Sequence, residues 1–386
     1  MDAFQFQNVA NLIVGSGSLS HLSSECQRLG ISHALLITDQ GILQQNLHLS
    51  LIYNLQQKHI KTTIYSDVQA DPPEHIVLKA VEFAKSKNIN GIIGLGGGSS
   101  LDVAKIIALL SHPEQLQTLE DIYGIGQAKA PRLPLIQIPT TAGTGSEVTP
   151  IAIVTTGKTT KSGIVAPILY ADTAILDADL TVNLPAHITA ATGIDAMVHA
   201  IEAYTSIHKK NPYSDMLAKQ ALQLINHALP IVLQRPKNLI ARQDMLFGAM
   251  LAGQAFANAP VGAVHALAYP LGGHCYLSHG HSNALVLTEV LKFNATHATK
   301  QYAELTQTLN PTLQGNKEEL CQQFIQHMQQ VCDNSGLVLK LNKLDIDTAL
   351  LPILAKDAMA QTRLLSNNPK QMTEHDALQI YQAVYQ

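Results

Sequence analysis

The chain changes texture once, near residue 184, and that change constrains the fold more than any single motif. Before it, short β-rich runs alternate with helical stretches. ALLIT (34–38), TTIY (62–65), GIIGL (91–95) and PLIQIP (134–139) read as strands, and helical patterns fill about 46–59, 74–88 and 100–111. Such alternation builds a parallel sheet covered on both faces by helices. AILDADL (174–180) reads as a last strand and the exit from this region. After Pro185 strand signals almost vanish. Ala/Leu/Gln-rich helical segments follow at about 187–207, 212–233, 236–257, 284–309, 317–335, 345–360 and 373–385. The expected fold class is an α/β N-terminal domain with a parallel sheet, residues 1–184, plus an all-α C-terminal domain, residues 185–386. No Gly/Ser linker marks the boundary, so close packing of the halves is expected. There is no internal repeat and no low-complexity segment.

Composition narrows the function classes. A chain of 386 residues has room for two domains, and 46% hydrophobic with 14% charged residues fits a soluble globular protein with a large core. The net charge of −4, with no basic run, argues against nucleic acid or an anionic membrane as partner. No uninterrupted apolar run reaches transmembrane length. Cys26, Cys275, Cys321 and Cys332 show no CxxC spacing and read as reduced thiols of a cytoplasmic protein. The N-terminus carries Asp2 and no Lys or Arg before Arg28, unlike a signal peptide.

Two loops in the first half carry backbone made for anions. GLGGGSSLDVAK (94–105) follows an expected strand and opens an expected helix. Gly96, Gly97 and Gly98 let a backbone approach a phosphate closely, the helix N-terminal amides supply donors, and Ser99 and Ser100 are candidate caps. The spacing is not GxGxxG, so a tight strand–helix turn explains the glycines as well. PTTAGTGSE (139–147) follows the next strand, with hydroxyls on Thr140, Thr141, Thr144 and Ser146; an ordinary polar turn is the competing account. Asp39 ends the first strand. A carboxylate there can accept both ribose hydroxyls of an adenosine and repel a 2′-phosphate; a helix cap is the other role it suits.

The second half holds candidate metal ligands. In TGIDAMVHAIEAY, Asp195 and His199 are four apart in a run with helical spacing, so they share a helix face. His265 lies in a second apolar run and His279 follows fourteen residues later. Between them Pro270, Gly272 and Gly273 are expected to break any helix, letting the chain turn His279 back towards His265. One carboxylate and three imidazoles suit a borderline divalent ion such as Fe(II) or Zn(II). Spacing alone does not exclude capping or core roles, because the chain has 17 His.

GIDAMVHAIEAY and HALAYPLGGHCYLSHG resemble the two metal motifs of the iron-containing (group III) alcohol dehydrogenase family, and the resemblance runs through most of the chain. It implies a dehydroquinate synthase-like fold in which a dinucleotide-binding α/β domain is followed by a helical metal-binding domain. It implies Asp195, His199, His265 and His279 as ligands of Fe(II), with Zn(II) as the other candidate. GGGS with Asp102 and Lys105 following resembles the family's pyrophosphate loop. PTTAGTGSE resembles its second cofactor loop, the following Lys falls on Lys161, and Asp39 goes with NAD rather than NADP. The implied activity is hydride transfer between a small alcohol and its aldehyde or ketone, with the metal acting on the alcohol oxygen. A homodimer is the implied assembly.

The chain departs from the family pattern at one position. Several members carry a His four residues after the third ligand; here that residue is Tyr269. His274 and Tyr276 lie nearby, so Tyr269 and His274 are the catalytic candidates. Phe256 and Asn258 precede the second motif and are expected to line the cleft, while Glu202 and His281 flank ligands and are read as groups behind them. Three other readings stay open. They are a polyol dehydrogenase or cyclising synthase of the same superfamily, a hydroxyacid–oxoacid transhydrogenase that never releases its nicotinamide, and a non-catalytic nucleotide-binding protein.

Overall fold

The computed structural model describes residues 3–157 and 160–386. Asp2, whose charge entered the reading of the N-terminus, lies outside the described residues. The chain divides into two compact units, Gln7–Asn183 and Leu184–Gln386, with the residues up to Phe6 belonging to the second.

The first unit contains nine strands among the described residues: β1 (Leu12–Val14), β2 (His33–Ile37), β3 (Lys61–Tyr65), β4 (Gly91–Gly96), β5 (Gly124–Ile125), β6 (Leu135–Pro139), β7 (Ile151–Thr156), β8 (Thr160–Val165) and β9 (Thr173–Leu176). Its helices are α1 (Leu22–Arg28), α2 (Gln40–Gln44), α3 (Leu47–Gln56), α4 (Glu74–Lys85) and α5 (Gly98–Leu110). The main sheet is parallel, in the order β1-β9-β6-β4-β2-β3. β2, β4, β6 and β9 have almost every side chain buried, which is why they read as continuous apolar runs rather than alternating ones. One face packs Leu36, Ile93, Leu95, Ile136, Ile138 and Ile175 against Leu22, Cys26, Leu51 and Leu55 of α1 and α3. On β4, Gly94 lets α5 approach: a Cβ there would lie 2.9 Å from the Ala104 Cβ.

The chain order reverses between β2 and β4, since β3 lies on one side of β2 and β4 on the other. In open parallel sheets, ligands bind beyond the carboxyl ends of the strands at such a reversal. Asp39 follows β2, Gly96 ends β4 and Gly97 and Gly98 lead into α5, so the reversal carries the Asp and the glycine loop singled out from the sequence. A second sheet, β5-β8-β7, was not expected from the sequence.

The second unit is helical: α6 (Ala186–Thr205), α7 (Pro212–Gln234), α8 (Leu239–Asn258), α9 (Ala263–Cys275), α10 (His279–Leu309), α11 (Lys317–Asp333), α12 (Leu351–Met359), α13 (Thr362–Leu365) and α14 (Glu374–Tyr385). Asn211 and Asn316 start α7 and α11 with capping boxes. Phe6 meets Tyr213 of α7 edge-on, with ring centroids 4.4 Å apart.

One expectation fails here. Pro270, Gly272 and Gly273 do not break the helix; α9 runs through all three to Cys275. Proline fits helical φ, but it forfeits a backbone hydrogen bond and its ring crowds the carbonyl four residues back. That loss is outweighed because α9 is buried along Ala263–Ala268 and again at Pro270–Gly272. The turn comes later, where Tyr276 takes a left-handed conformation (φ 54°). His279 then opens α10, five residues earlier than the apolar spacing indicates.

Candidate metal centre and nucleotide loops

Asp195 and His199 project from one face of α6, His265 comes from the first turn of α9, and His279 is the first residue of α10. Their ligand atoms all lie within 4.8 Å of one another, the one such grouping of His, Cys, Asp and Glu among the described residues. Asp195 Oδ1 is 3.5 Å from His279 Nε2, 3.8 Å from His265 Nε2 and 3.9 Å from His199 Nε2. Donors at about 2.1 Å around a tetrahedral ion stand roughly 3.4 Å apart, so the cluster fits such an ion with modest contraction. Asp195, His199 and His265 are buried, whereas the His279 side chain is 29% exposed and forms the open side.

Local packing explains the convergence. The backbone of α10 crosses α6 at Gly280, where a Cβ would stand 2.2 Å from the Ala191 carbonyl oxygen. Only glycine permits that approach, which sets His279 opposite Asp195. One turn on, the buried Asn283 amide donates to Asp195 Oδ1 at 2.6 Å and stands 3.4–3.5 Å from Nε2 of His279 and His265. Its own Oδ1 is buried without a hydrogen-bond partner. Burial by itself would raise the Asp195 carboxyl, but His199, His279, His265 and the Asn283 amide outweigh it and hold the carboxyl below its ordinary value.

Around the cluster, Phe256 stacks on His199 at 4.3 Å between centroids, and His199 stacks on His265 at 4.7 Å. Tyr269, one turn after His265, has its ring 5.8 Å from that of His279. Glu202, on α6, accepts hydrogen bonds from His265 and from the Val264 backbone. The other sequence candidates lie elsewhere. His274 Nε2 pairs with Asp357 of α12 at 2.7 Å, Tyr276 is 87% exposed, and His281 bonds the Val338 carbonyl. Asn258 is buried, donating to the Gln254 carbonyl within α8.

In the first unit, the two glycine loops meet. Gly97 caps α5, and Gly98 opens it with Thr144 close enough that a Cβ would lie 2.8 Å away. Thr140 N–H donates to the Gly96 carbonyl, and Gly96 holds φ 149°. Thr141 flanks Gly97, 3.5 Å from where a Cβ would stand. Asp39 Oδ1 caps α2 through the Ile42 N–H and Oδ2 accepts from Ser100, so the capping role weighed against ribose binding is present. Asp102 is engaged inside the protein. It accepts from Ser146 Oγ at 2.6 Å, from Lys105 at 3.3 Å and from the Ile153 N–H at 3.0 Å.

Asp71 is a residue the sequence reading did not place, and Lys105 entered it only as part of the first loop's motif. Lys105 is fully buried, and its ammonium also donates to Ser146, Thr149 and the Ile151 carbonyl, tying α5 to the second loop and β7. Burial lowers its pKa, against the pull of Asp102. Beside it Glu147 is buried, and burial pushes its carboxyl up to about 7. Asp71 pairs with Lys161 at 2.6 Å, and its N–H donates to Ser99. Its one visible signal is an Asp-Pro-Pro turn after β3.

A parallel sheet with a strand-order reversal and an anion-ready helix start, and a helical unit with a His/Asp cluster, suit a two-unit protein that takes a nucleotide in one unit and a metal in the other. Comparison with known proteins agrees. Residues 10–178 match the family described as iron-containing alcohol dehydrogenase, and residues 189–385 match its C-terminal part. The chain is 39% identical over 374 residues to long-chain-alcohol dehydrogenase 1 of Geobacillus thermodenitrificans, covering 96% of this chain and 94% of that one. It is 30% identical over 370 residues to the NAD-dependent methanol dehydrogenase of Bacillus methanolicus, covering 95% and 96%. The crystal structure of a 1,3-propanediol oxidoreductase superposes with a TM-score of 0.95 at 30% identity, covering 99% of this chain and 100% of that one. The chain belongs to the iron-containing alcohol dehydrogenase family. No helix among the described residues is long and apolar enough to cross a membrane.

Proposed function

We propose that this protein is an NAD-linked dehydrogenase interconverting a small alcohol and its aldehyde or ketone, with Fe(II) or Zn(II) held by Asp195, His199, His265 and His279. The observation that carries the reading is the convergence of one carboxylate and three imidazoles from α6, α9 and α10, with ligand atoms within 4.8 Å of one another. A divalent ion bound there supplies Lewis acidity at the alcohol oxygen, and NAD supplies the hydride acceptor.

The chain's own residues do the rest. His265, held by Glu202, and Asp195, held by Asn283, enter the site already oriented. Phe256 covers the His199 ring and keeps water from that side. Tyr269 stands beside the exposed ligand His279, and its phenol Oη relays the alcohol proton. His274, paired with Asp357 further along α9, is the second candidate for that relay. In the first unit, the amides of Gly98, Ser99 and Ser100 at the start of α5 receive the pyrophosphate, with Gly96 and Gly97 giving close backbone approach. Thr140, Thr141 and Thr144 add hydroxyls along the second loop, and Lys161 adds a cation. Asp102 and Ser146, locked to Lys105, hold the two loops in register. Asp39 retains unshared lone pairs for the adenosine ribose and excludes a 2′-phosphate.

Relatives act on long-chain alcohols, methanol and propanediol by their names, so the test is a panel. Alcohols, diols and aldehydes are assayed with free NAD or NADH after loading with Fe(II) or Zn(II). Net NADH formation from one alcohol class supports the reading. Turnover that requires an oxoacid co-substrate and releases no NADH would replace it with a transhydrogenase. A homodimer, read by sedimentation, is the proposed assembly.

A further inference from the structure

Glu202 is a buried carboxylate two turns along α6 from Asp195, and both of its oxygens are committed. Oε1 accepts the Val264 backbone N–H at 2.7 Å, and Oε2 stands 2.6 Å from Nδ1 of His265. With both oxygens turned to these groups, the carboxylate serves as acceptor, and that places the proton on Nδ1 of His265. The imidazole is thereby left with its lone pair on Nε2, the nitrogen that faces Asp195. A metal ligand needs that lone pair, and the other tautomer would aim an N–H at the site.

We propose that Glu202 is a positioning residue that fixes the ligating tautomer of His265 and the start of α9 at once. The inference rests on the metal reading above. The same carboxylate grips the ring and the backbone of the preceding residue, so ring angle and tautomer are set together. A glutamine in this place cannot do both. If its amide oxygen takes the Val264 N–H, its NH2 group faces Nδ1 and demands the wrong tautomer. If it turns round, the NH2 group confronts the Val264 N–H and leaves that donor unpaired in a buried place.

The test combines the ring nitrogens of the metal-free wild type with a mutant cycle. Nitrogen-15 NMR of labelled histidine in metal-free protein should show His265 protonated at Nδ1 and bare at Nε2. The opposite tautomer overturns the proposal, and this measurement does not depend on any variant folding. Zn(II) affinity, measured against a competing chelator, should fall roughly 10–100-fold in Glu202→Gln while NADH binding is unchanged. In a His265→Ala background, Glu202→Gln should cause no further fall, because the effect runs through that imidazole. An equal fall in both backgrounds, or wild-type affinity in the single variant, refutes the role. Failure of the wild type itself to bind Zn(II) would instead overturn the metal reading, whichever tautomer the NMR finds.

Discussion

Gly280→Ala adds one methyl group where two helix backbones touch. The new Cβ would stand 2.2 Å from the Ala191 oxygen, 2.6 Å from the Ala191 carbonyl carbon and 3.3 Å from the Asp195 Cβ. The two nearest atoms are backbone, so no side chain can swing away. An ordinary carbon–oxygen contact needs about 3.3 Å, and the start of α10 must withdraw from α6 by roughly 1 Å. His279 leads α10 and Asp195 sits on α6, so their present 3.5 Å separation opens towards about 4.5 Å. One ion bonded to both at about 2.1 Å spans at most about 4.2 Å. The variant therefore needs a further contraction of His279 towards Asp195, against the new contact, before one ion can bond both. Overpacking also costs about 1–3 kcal/mol of stability. Zn(II) or Co(II) titration against a chelator should show affinity lower by roughly 10–100-fold, with NADH binding intact and a lower apparent Tm. Wild-type metal affinity in a folded Gly280→Ala protein would refute the claim that this contact sets the ligand geometry.

Three other substitutions read the first unit. Asp39→Gly should relax discrimination against NADP while the protein stays folded, because an Asp-to-Gly cap change costs only a few tenths of a kcal/mol; an unchanged NAD/NADP ratio in kcat/KM counts against the ribose role. Gly97→Val should raise KM for NAD strongly with little loss of Tm, since the nearest atom to a Cβ is Thr141 at 3.5 Å; normal NAD binding would leave the loop a plain turn. Glu147 is held up to about 7 by burial, so the folded state favours its protonated form. The stability this gives is full below the unfolded value near 4.5, falls as pH rises to about 7, and is flat above; the total is about 3 kcal/mol. Melts across pH 4.5–8 should lose that slope in Glu147→Gln, and an identical slope in both proteins would contradict it.

The sequence was legible where chemistry is local. The strands expected at 34–38, 91–95 and 134–139 correspond to β2, β4 and β6, because strands buried on both faces are apolar throughout. Two strands of the second sheet give little signal, since β8 reads TKSGIV and β5 has two residues, whereas the β-rich run of β7, IAIVTT, was overlooked. β1, LIV, is an edge strand of three residues, too short to stand out by pattern. The start of α10, HGHSN, lacks apolar spacing because its buried face is functional, with His279 at the metal site, Gly280 at the helix crossing and Asn283 on Asp195. The candidate ligands, which the structure brings together, could be drawn up from an i,i+4 pair and motif resemblance. Glu202 could be placed behind the ligands by its neighbourhood in sequence, but its partner could not, since it reaches His265 across 63 residues; Asn283, which reaches Asp195 across 88, gave no signal. His274 is close to the ligands in sequence, and nothing in the sequence signals that its ring pairs with Asp357.

The most direct measurement is metal content beside NADH binding in His265→Ala, His279→Ala and His274→Ala. The ligands belong to the helical unit and the nucleotide loops to the other. The first two variants should lose most of their Fe(II) or Zn(II) and their alcohol-dependent NADH formation, yet bind NADH as the wild type does. His274→Ala should keep its metal. Full metal occupancy in His279→Ala, or loss of metal only in His274→Ala, would contradict the account.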